Sequence, residues 1–485
     1  MTNASFKGAL ALATDIRSRR IGCLELLDYF WERTRRFNPK LNAIVVDDFD
    51  RARTRARAAD EAMARGEIWG PLHGLPITVK ESFDIVGLPT TWGVPELKDN
   101  CPSTNAVAVD RLLEAGAIIF AKTNVPTLLA NWQTFNPIYG STNNPWNPSL
   151  SPGGSSGGSA AALAAGLTSL ECGSDIGGSI RNPAHYCGVY GHKCSYGIIP
   201  MNGQLYPGNV APVDFFVTGP MARSAADLEA ALSIMAGPDS LDGVGWQLRL
   251  PPPKHTKLSE HRIALILDNS NSHVDHQVQG QLSALGDHLS RSGATVSDSA
   301  RPDLDLTELN DLYVHLLRAA TSRTQTMATF EHNLQAARSL DQDDRSYFAK
   351  MVRGNTLYHK DWLELDERRH RMRRKWFNFF RDFDILLCPA AASAAQPHDQ
   401  LGERFRRSIV VDDARLPATD QLFWAGIATF AGLPATVAPI GSTSSGLPVG
   451  VQVIAAGYHD YTCINFAKLL EKEYYAFVPP PGYAD

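Results

Sequence analysis

The chain is poor in the features that mark several protein classes. Its seven cysteines (Cys23, Cys101, Cys172, Cys187, Cys194, Cys388 and Cys463) are odd in number and scattered through 485 residues, with no C-x-x-C pair. That excludes the framework of a small secreted disulfide scaffold and points to a reducing, cytoplasmic compartment. No 18 apolar residues run together, so no segment has the length of a membrane-spanning helix. The first twenty residues hold only the apolar island Ala9 to Ala13 before Asp15, too short for the core of a signal peptide. Positive charge is not in excess: 46 Lys and Arg face 51 Asp and Glu, a net charge of −5. A global basic field able to hold nucleic acid or an anionic membrane is therefore absent. Repeats and low-complexity blocks are missing too.

What remains is an ordinary globular balance, with 44% hydrophobic and 20% charged residues, 9 Trp, 14 Tyr and 20 Phe. This is enough apolar material for a sizeable core. Length alone suggests about three domains at ~150 residues each, although large α/β enzymes form one continuous core at this size. Residues 21 to 65 read as two helices, the second with Ala52, Ala56, Ala59 and Met63 on one face. From 71 to 122 a β-α-β step follows: a strand around Ile77 and Val79, a helix near 106 to 115, and the apolar strand 117 to 121. Residues 140 to 220 are crowded with Gly, Ser, Asn and Pro but enclose an Ala-rich helix candidate, Ser159 to Leu170, ending near Gly166. After PPPK at 251 to 254, another β-α-β step spans 263 to 296. Residues 306 to 383 look largely helical, and strands at 385 to 387 and 449 to 454 precede a closing helix at 461 to 474.

The chemistry concentrates in two loops that flank the Ala-rich helix. The first is Ser151-Pro-Gly-Gly-Ser155-Ser156-Gly-Gly-Ser159, and the second is Gly173-Ser-Asp175-Ile176-Gly177-Gly178-Ser179-Ile180-Arg181. Glycines let successive backbone N–H groups turn inward as a nest for an oxyanion, which acyl transfer requires. Gly153 to Gly157 formally matches the G-x-S-x-G nucleophile elbow, but that turn must follow a strand and NPSLSP cannot form one. The stretch lacks the G-K-[ST] ending of a phosphate cradle.

With Gly74-Leu-Pro-Ile-Thr-Val-Lys80-Glu-Ser, the paired loops resemble the amidase signature family. Lys80 and Ser155 are 75 residues apart, and Ser155 and Ser179 are 24 apart, separations familiar in that family. Further matches run from Lys122-Thr-Asn124-Val-Pro126 to Gly446-Leu-Pro-Val-Gly450-Val-Gln452, so the resemblance covers nearly the whole chain. It implies an α/β fold with a large mixed, mostly parallel sheet covered by helices on both faces. It also implies a single domain over residues 1–485, with core motifs at 71–225 and 384–475 and a variable helical substrate-pocket region at about 300–383.

The implied site is a triad. Ser179 is the nucleophile, Ser155 the bridging serine on a cis peptide, and Lys80 the base, with the backbone N–H groups of Ile176, Gly177, Gly178 and Ser179 as the oxyanion hole. The chemistry is sound on its own terms: a serine hydroxyl needs a neighbouring base, and lysine serves only when burial makes it neutral. Asp175 and Arg181 would brace the loop. Cys194 and Thr127 depart from residues common in the family and bear on selectivity, not on the triad.

The resemblance implies no metal and no organic cofactor. The expected partner is a small-molecule amide, ester or thioester, resolved by water or by an amine acceptor. Nucleic acid and membrane are not expected, and a homodimer is left open. The chain as a whole, rather than any one motif, also resembles amidases of secondary-metabolite biosynthesis, which implies amide formation. A subunit role in a tRNA-dependent amidotransferase is the alternative.

Two other features invite readings that the residues weaken. His185, Cys187, His192 and Cys194 offer nitrogen and sulfur but at H-x-C-x4-H-x-C spacing, unlike a zinc knuckle, and read as a buried loop. Arg368 to Lys375 is basic, but Trp362, Leu365, Met372, Trp376, Phe379 and Phe383 recur through the same segment near helical period. That describes an amphipathic helix with a solvated basic face.

Overall fold

A computed structural model describes residues 4–484; Met1 to Asn3, where the N-terminal reading above begins, and Asp485 lie outside it. Two sheets organise the chain. The smaller has the order β1 (Ile44–Asp47), β3 (Ile118–Thr123), β2 (Pro76–Lys80). The larger has eight strands in the order β10 (Thr295–Ser297), β9 (Arg262–Leu265), β11 (Ile385–Pro389), β15 (Pro448–Ile454), β14 (Ala435–Ser442), β7 (Tyr190–Lys193), β8 (Val217–Ala222), β6 (Leu170–Asp175). Two hairpins, β4 (Phe135–Asn136) with β5 (Gly140–Ser141) and β12 (Ser408–Val411) with β13 (Ala414–Pro417), stand apart.

Helices fill the intervals: α1 (Ala9–Arg17), α2 (Cys23–Leu41) and α3 (Phe49–Ala64) at the N-terminus, then α4 (Val107–Glu114), α5 (Gly157–Ala164), α6 (Arg181–Cys187), α7 (Ala225–Met235) and α8 (His276–Arg291). The later ones are α9 (Leu306–Thr321), α10 (Met327–Ser339), α11 (Tyr347–Asn355), α12 (His359–Asp382), α13 (Leu422–Thr429) and α14 (Asp460–Glu473). Among the described residues no helix is long and apolar enough to cross a membrane.

Both expected β-α-β steps are present as parallel pairs, β2 with β3 across α4 and β9 with β10 across α8. The large sheet is mixed, but it is not mostly parallel as the sequence reading had it. Only β10–β9 and β9–β11 pair in parallel; the other five pairings are antiparallel. Apolar runs such as β11 and β15, buried at every position, report cover on both faces and say nothing of direction. The short link between β14 and β15 leaves room only for an antiparallel return.

Cover on both faces is visible within β14, where successive side chains point to opposite sides. Val437 joins the cluster of Ile180, Ala184 and Cys187 at α6, while Ala438 joins the one containing Ile464 and Ala467 of α14. The Ala-rich helix is displaced from its expected bounds: α5 begins at Gly157 and ends at Ala164, Gly166 turns the chain at φ +67°, and Leu170 already belongs to β6. In α12 the buried side chains include Met372, Trp376, Phe379 and Phe380. Its basic run is matched by acids, Arg368 with Glu308, Arg369 with Asp214 and Asp366, and Arg371 with Glu367.

Candidate active site

Lys80 is the last residue of β2, a strand buried throughout. β2 is tied to β6 and the residues before it: the Thr78 N–H donates to Thr168 Oγ1 at 3.1 Å and the Thr78 hydroxyl to Glu171 Oε1 at 2.5 Å. This seats the Lys80 amine 2.7 Å from Ser155 Oγ and 3.0 Å from Ser174 Oγ. The side chain is fully buried. Loss of hydration penalises the ammonium and lowers the Lys80 pKa to about 7, although Asp175 and Glu171 pull the other way.

Ser155 sits on a turn that enters α5, and the Gly154–Ser155 peptide is cis. Gly153 holds φ +84°, and a Cβ there would lie 2.5 Å from Asn182 Oδ1, so only glycine fits. Asn182 also accepts from the Gly154 N–H at 3.2 Å, and the Thr134 hydroxyl donates to the Gly153 carbonyl at 2.8 Å. The Ser156 N–H donates to the Ser179 carbonyl at 3.0 Å, tying the two Gly/Ser loops together.

The second loop, 176 to 180, wraps the carboxylate of Asp175. Gly178 N–H donates to Oδ1 at 2.9 Å and Ile180 N–H to Oδ2 at 3.0 Å. Arg181 clamps the same carboxylate through Nε at 3.0 Å and its terminal nitrogen at 2.8 Å. Burial alone would raise Asp175, but the Arg181 charge and hydrogen bonds outweigh it and hold the carboxyl at about 2. Arg181 spends its other donors on Ala425 O, Gln452 Oε1 and Thr429 Oγ1, which anchors the loop to α13 and β15. Asp175 and Arg181 therefore brace the loop.

Two aromatic side chains hold the loop from the other side. Trp132 Nε1 donates to the Gly177 carbonyl at 2.6 Å, and the Tyr313 hydroxyl donates to the Ile176 carbonyl at 2.9 Å. A Cβ at Gly178, whose φ is +94°, would meet Trp132 at 2.8 Å. Of the four backbone donors expected from the sequence, Gly178 differs: its N–H is spent on Asp175 because that bond shapes the turn. The N–H groups of Ile176, Gly177 and Ser179 have no hydrogen-bond partner among the described residues, and Ser179 is 5% exposed, its hydroxyl bonded to neither Ser155 nor Lys80.

Sequence reasoning missed Ser174 and Tyr313. Ser174 had a signal, since it lies beside Asp175 on a strand that must run next to Lys80; Tyr313 had none. The metal-like group is engaged elsewhere. His185 accepts from the Gly450 N–H at 2.8 Å, and His192 lies 3.1 Å from Asp460 and 2.8 Å from Thr436 Oγ1. His192, Cys194 and Asp460 hold ligand-type atoms within 4.8 Å of one another, but Asp460 also accepts the Ser195 N–H and hydroxyl, each at 2.7 Å.

Against known proteins, the family model described as Amidase matches residues 25–464. The chain belongs to the amidase family. This amidase is 34% identical over 471 residues to an indoleacetamide hydrolase of Bradyrhizobium diazoefficiens, spanning 96% of this chain and 86% of that one. It is 31% identical over 478 residues to an acylamidase of Rhodococcus erythropolis, spanning 97% and 96%. Among solved structures, a chain of a vestigial protein complex bearing on the origins of an s-triazine catabolic enzyme superposes with TM-score 0.82 at 28% identity. That match covers 97% of this chain and 100% of the other.

Proposed function

We propose that this amidase acts on the C–N bond of small-molecule amides through an acyl-Ser179 intermediate. The observation that carries the reading is the Lys80 amine, fully buried and 2.7 Å from Ser155 Oγ, at the seam that joins the Ser155 and Ser179 loops. A neutral Lys80 takes the Ser155 proton as Ser155 takes the Ser179 proton, and Ser179 Oγ attacks the carbonyl carbon. The new oxyanion faces the N–H groups of Ile176, Gly177 and Ser179, while Gly178 and Asp175 hold those donors in place. The C–N bond then breaks as the leaving nitrogen takes the proton back along the same relay. Water, deprotonated by the same route, attacks the acyl ester and releases the acid.

An amine entering in place of water would resolve the same ester to a new amide. This acceptor is the one that the sequence's resemblance to amidases of secondary-metabolite biosynthesis implies. Esters and thioesters fit as donors because the leaving group changes and the attack does not.

The test is a product partition. One simple amide and one acyl thioester are each supplied with and without a panel of amines, and free acid and new amide are quantified by mass spectrometry. Free acid insensitive to amine means hydrolysis; amide that grows with amine concentration means acyl transfer. Ser179→Ala should abolish the acyl-enzyme mass adduct, and normal turnover by that variant would overturn the reading. Full activity of the isolated chain would count against a subunit role in an amidotransferase.

A further inference from the structure

A cavity of about 680 Å³ lies between α9, α11 and the segment 405 to 420, and its walls reach the oxyanion loop by three routes. Val314 lines it, and the preceding residue, Tyr313, bonds the Ile176 carbonyl. Thr419 and Asp420 line it, and Leu422 lies 3.3 Å from where a Gly177 Cβ would stand. Phe405 and Arg406 line it, and Arg404 beside them donates to the carbonyl of Ala130, two residues from Trp132.

The cavity lining carries more positive than negative charge, Arg345, Lys350 and Arg406 against Asp420. Arg318 stands behind the lining residue Tyr347 and donates to its hydroxyl. Arg318 is 8% exposed, its Nε has no hydrogen-bond partner, and no carboxylate lies within ion-pairing distance of it among the described residues. Arg404 is likewise without a paired carboxylate, and the charges of Arg318 and Arg407 act on it. Of the acids nearby, Asp344 accepts the N–H of the lining residue Ser346 at 2.8 Å. Asp311 is committed to Lys350; Asp399 and Glu403 are felt by Arg407, and Glu403 by Arg404, without forming ion pairs. Asp420 lines the cavity itself, and burial raises its carboxyl to about 6. Arg345 and Arg406 are exposed and Arg404 is half-buried, but Arg318 is buried, and a buried arginine is normally paired, so Arg318 behind this positive lining marks a place for an anion supplied from outside.

We propose that this cavity receives an oxyanionic group, a carboxylate or a phosphate, carried on the substrate tail remote from the scissile carbonyl. The proposal rests on Ser179 being the acyl-forming residue, because the elements that line the cavity also touch that loop through Tyr313 and Leu422. Arg345 and Arg406 on the wall, with Arg318 and Arg404 behind it, supply the charge, and Tyr347 and Phe405 supply flat apolar cover for the tail.

The experiment compares three acyl anilides of equal chain length, ending in a carboxylate, a phosphate ester or a methyl ester. For the wild-type chain, kcat/KM for at least one anionic anilide should exceed that for the methyl ester by about tenfold or more, mainly through KM, and the excess should shrink with added salt. Whichever anion gains more identifies the tail as a carboxylate or a phosphate. In Arg318→Met and Arg404→Met the anionic-to-neutral ratio should fall towards one, and Arg318→Lys should restore part of it. Because the readout is a ratio within one preparation, a variant that merely folds poorly lowers both rates and leaves the ratio unmoved. Equal rates for all three anilides in the wild type, or a ratio unchanged in both Met variants, would overturn the proposal. If no anilide turns over and no acyl adduct forms at Ser179, the catalytic reading itself fails. Calorimetry of the three anilides with Ser179→Ala then decides the tail proposal separately, the anionic ligand binding tighter or not.

Discussion

Among the described residues three lysines are completely buried, Lys80, Lys122 and Lys193, and the surroundings of Lys80 and Lys193 differ most plainly. At the seam between β7 and the turn into β14, the Lys193 amine donates to the carbonyls of Cys194 and Leu433, at 3.0 and 2.7 Å. At the loops around α5, the Lys80 amine meets the hydroxyls of Ser155 and Ser174. Burial lowers both, Lys193 to about 8 and Lys80 to about 7. The surroundings differ in kind. Carbonyl oxygens only accept, so they suit an ammonium that stays protonated and joins two segments; hydroxyls accept and donate, so they suit an amine that gains and loses a proton. On the proposed mechanism, what sets a base apart from a staple is the proton chemistry of its neighbours more than the depth of its burial.

The sharpest way to break the comparison is to remove each charge while keeping the volume. Lys80→Met should lower kcat/KM by about 1,000-fold, within the range for loss of a general base. Its melting temperature should hold or rise. The sign follows from the pKa: Lys80 is lower in the folded chain, near 7, than in the unfolded one. Its burial therefore costs most below pH 7, and the cost fades as pH rises towards 10.5. The thermal gain of Lys80→Met should be larger at pH 6 than at pH 9, a pair of calorimetric scans. The same group predicts that wild-type kcat/KM climbs about tenfold per pH unit below 7 and levels above it. A flat profile from pH 5 to 8 would remove Lys80 from its role.

Lys193→Met should show the mirror image. Two buried carbonyls lose their donor, at about 1 to 3 kcal/mol each, so denaturant unfolding should report a loss of about 2 to 6 kcal/mol, reduced by relief of the burial that lowers Lys193 to about 8. Activity per folded molecule should stay within about threefold and the acid limb of the pH profile should not move. A shifted acid limb would mean that the two lysines are coupled through Asp175, which both feel.

Both regions were unequally legible in the sequence. Lys80, Ser155 and Ser179 stood out because glycine crowding and fixed spacing are properties of the chain itself, and both β-α-β steps were readable from periodicity. Strand direction was not, since an apolar run records only burial. The bonding of Gly178 to Asp175 was hidden as well: four consecutive backbone N–H groups look alike in a sequence, and only the turn geometry assigns one of them inward. Tyr313 reaches Ile176 across 137 residues from within an ordinary amphipathic helix, and no local pattern distinguishes it from its core neighbours.

The smallest effect concerns the aromatic pair that steadies the loop. Trp132→Phe keeps most of the ring against Gly178 but removes the donor to the Gly177 carbonyl, a bond of 2.6 Å. One neutral hydrogen bond contributes about 1 kcal/mol, which corresponds to roughly fivefold. Because the bond aims the loop and not the substrate, the loss should fall on kcat with KM little changed. Tyr313→Phe should do the same through the Ile176 carbonyl. If the two aromatics hold one rigid turn, the double variant should lose less than the product of the single losses, since the first already frees the loop. A strictly multiplicative result would mean that each carbonyl is positioned independently, with Asp175 alone setting the turn. A fall of 100-fold or more in Trp132→Phe by itself would place the indole against the reacting acyl group, joining the site and its scaffold where the comparison of the lysines keeps them apart.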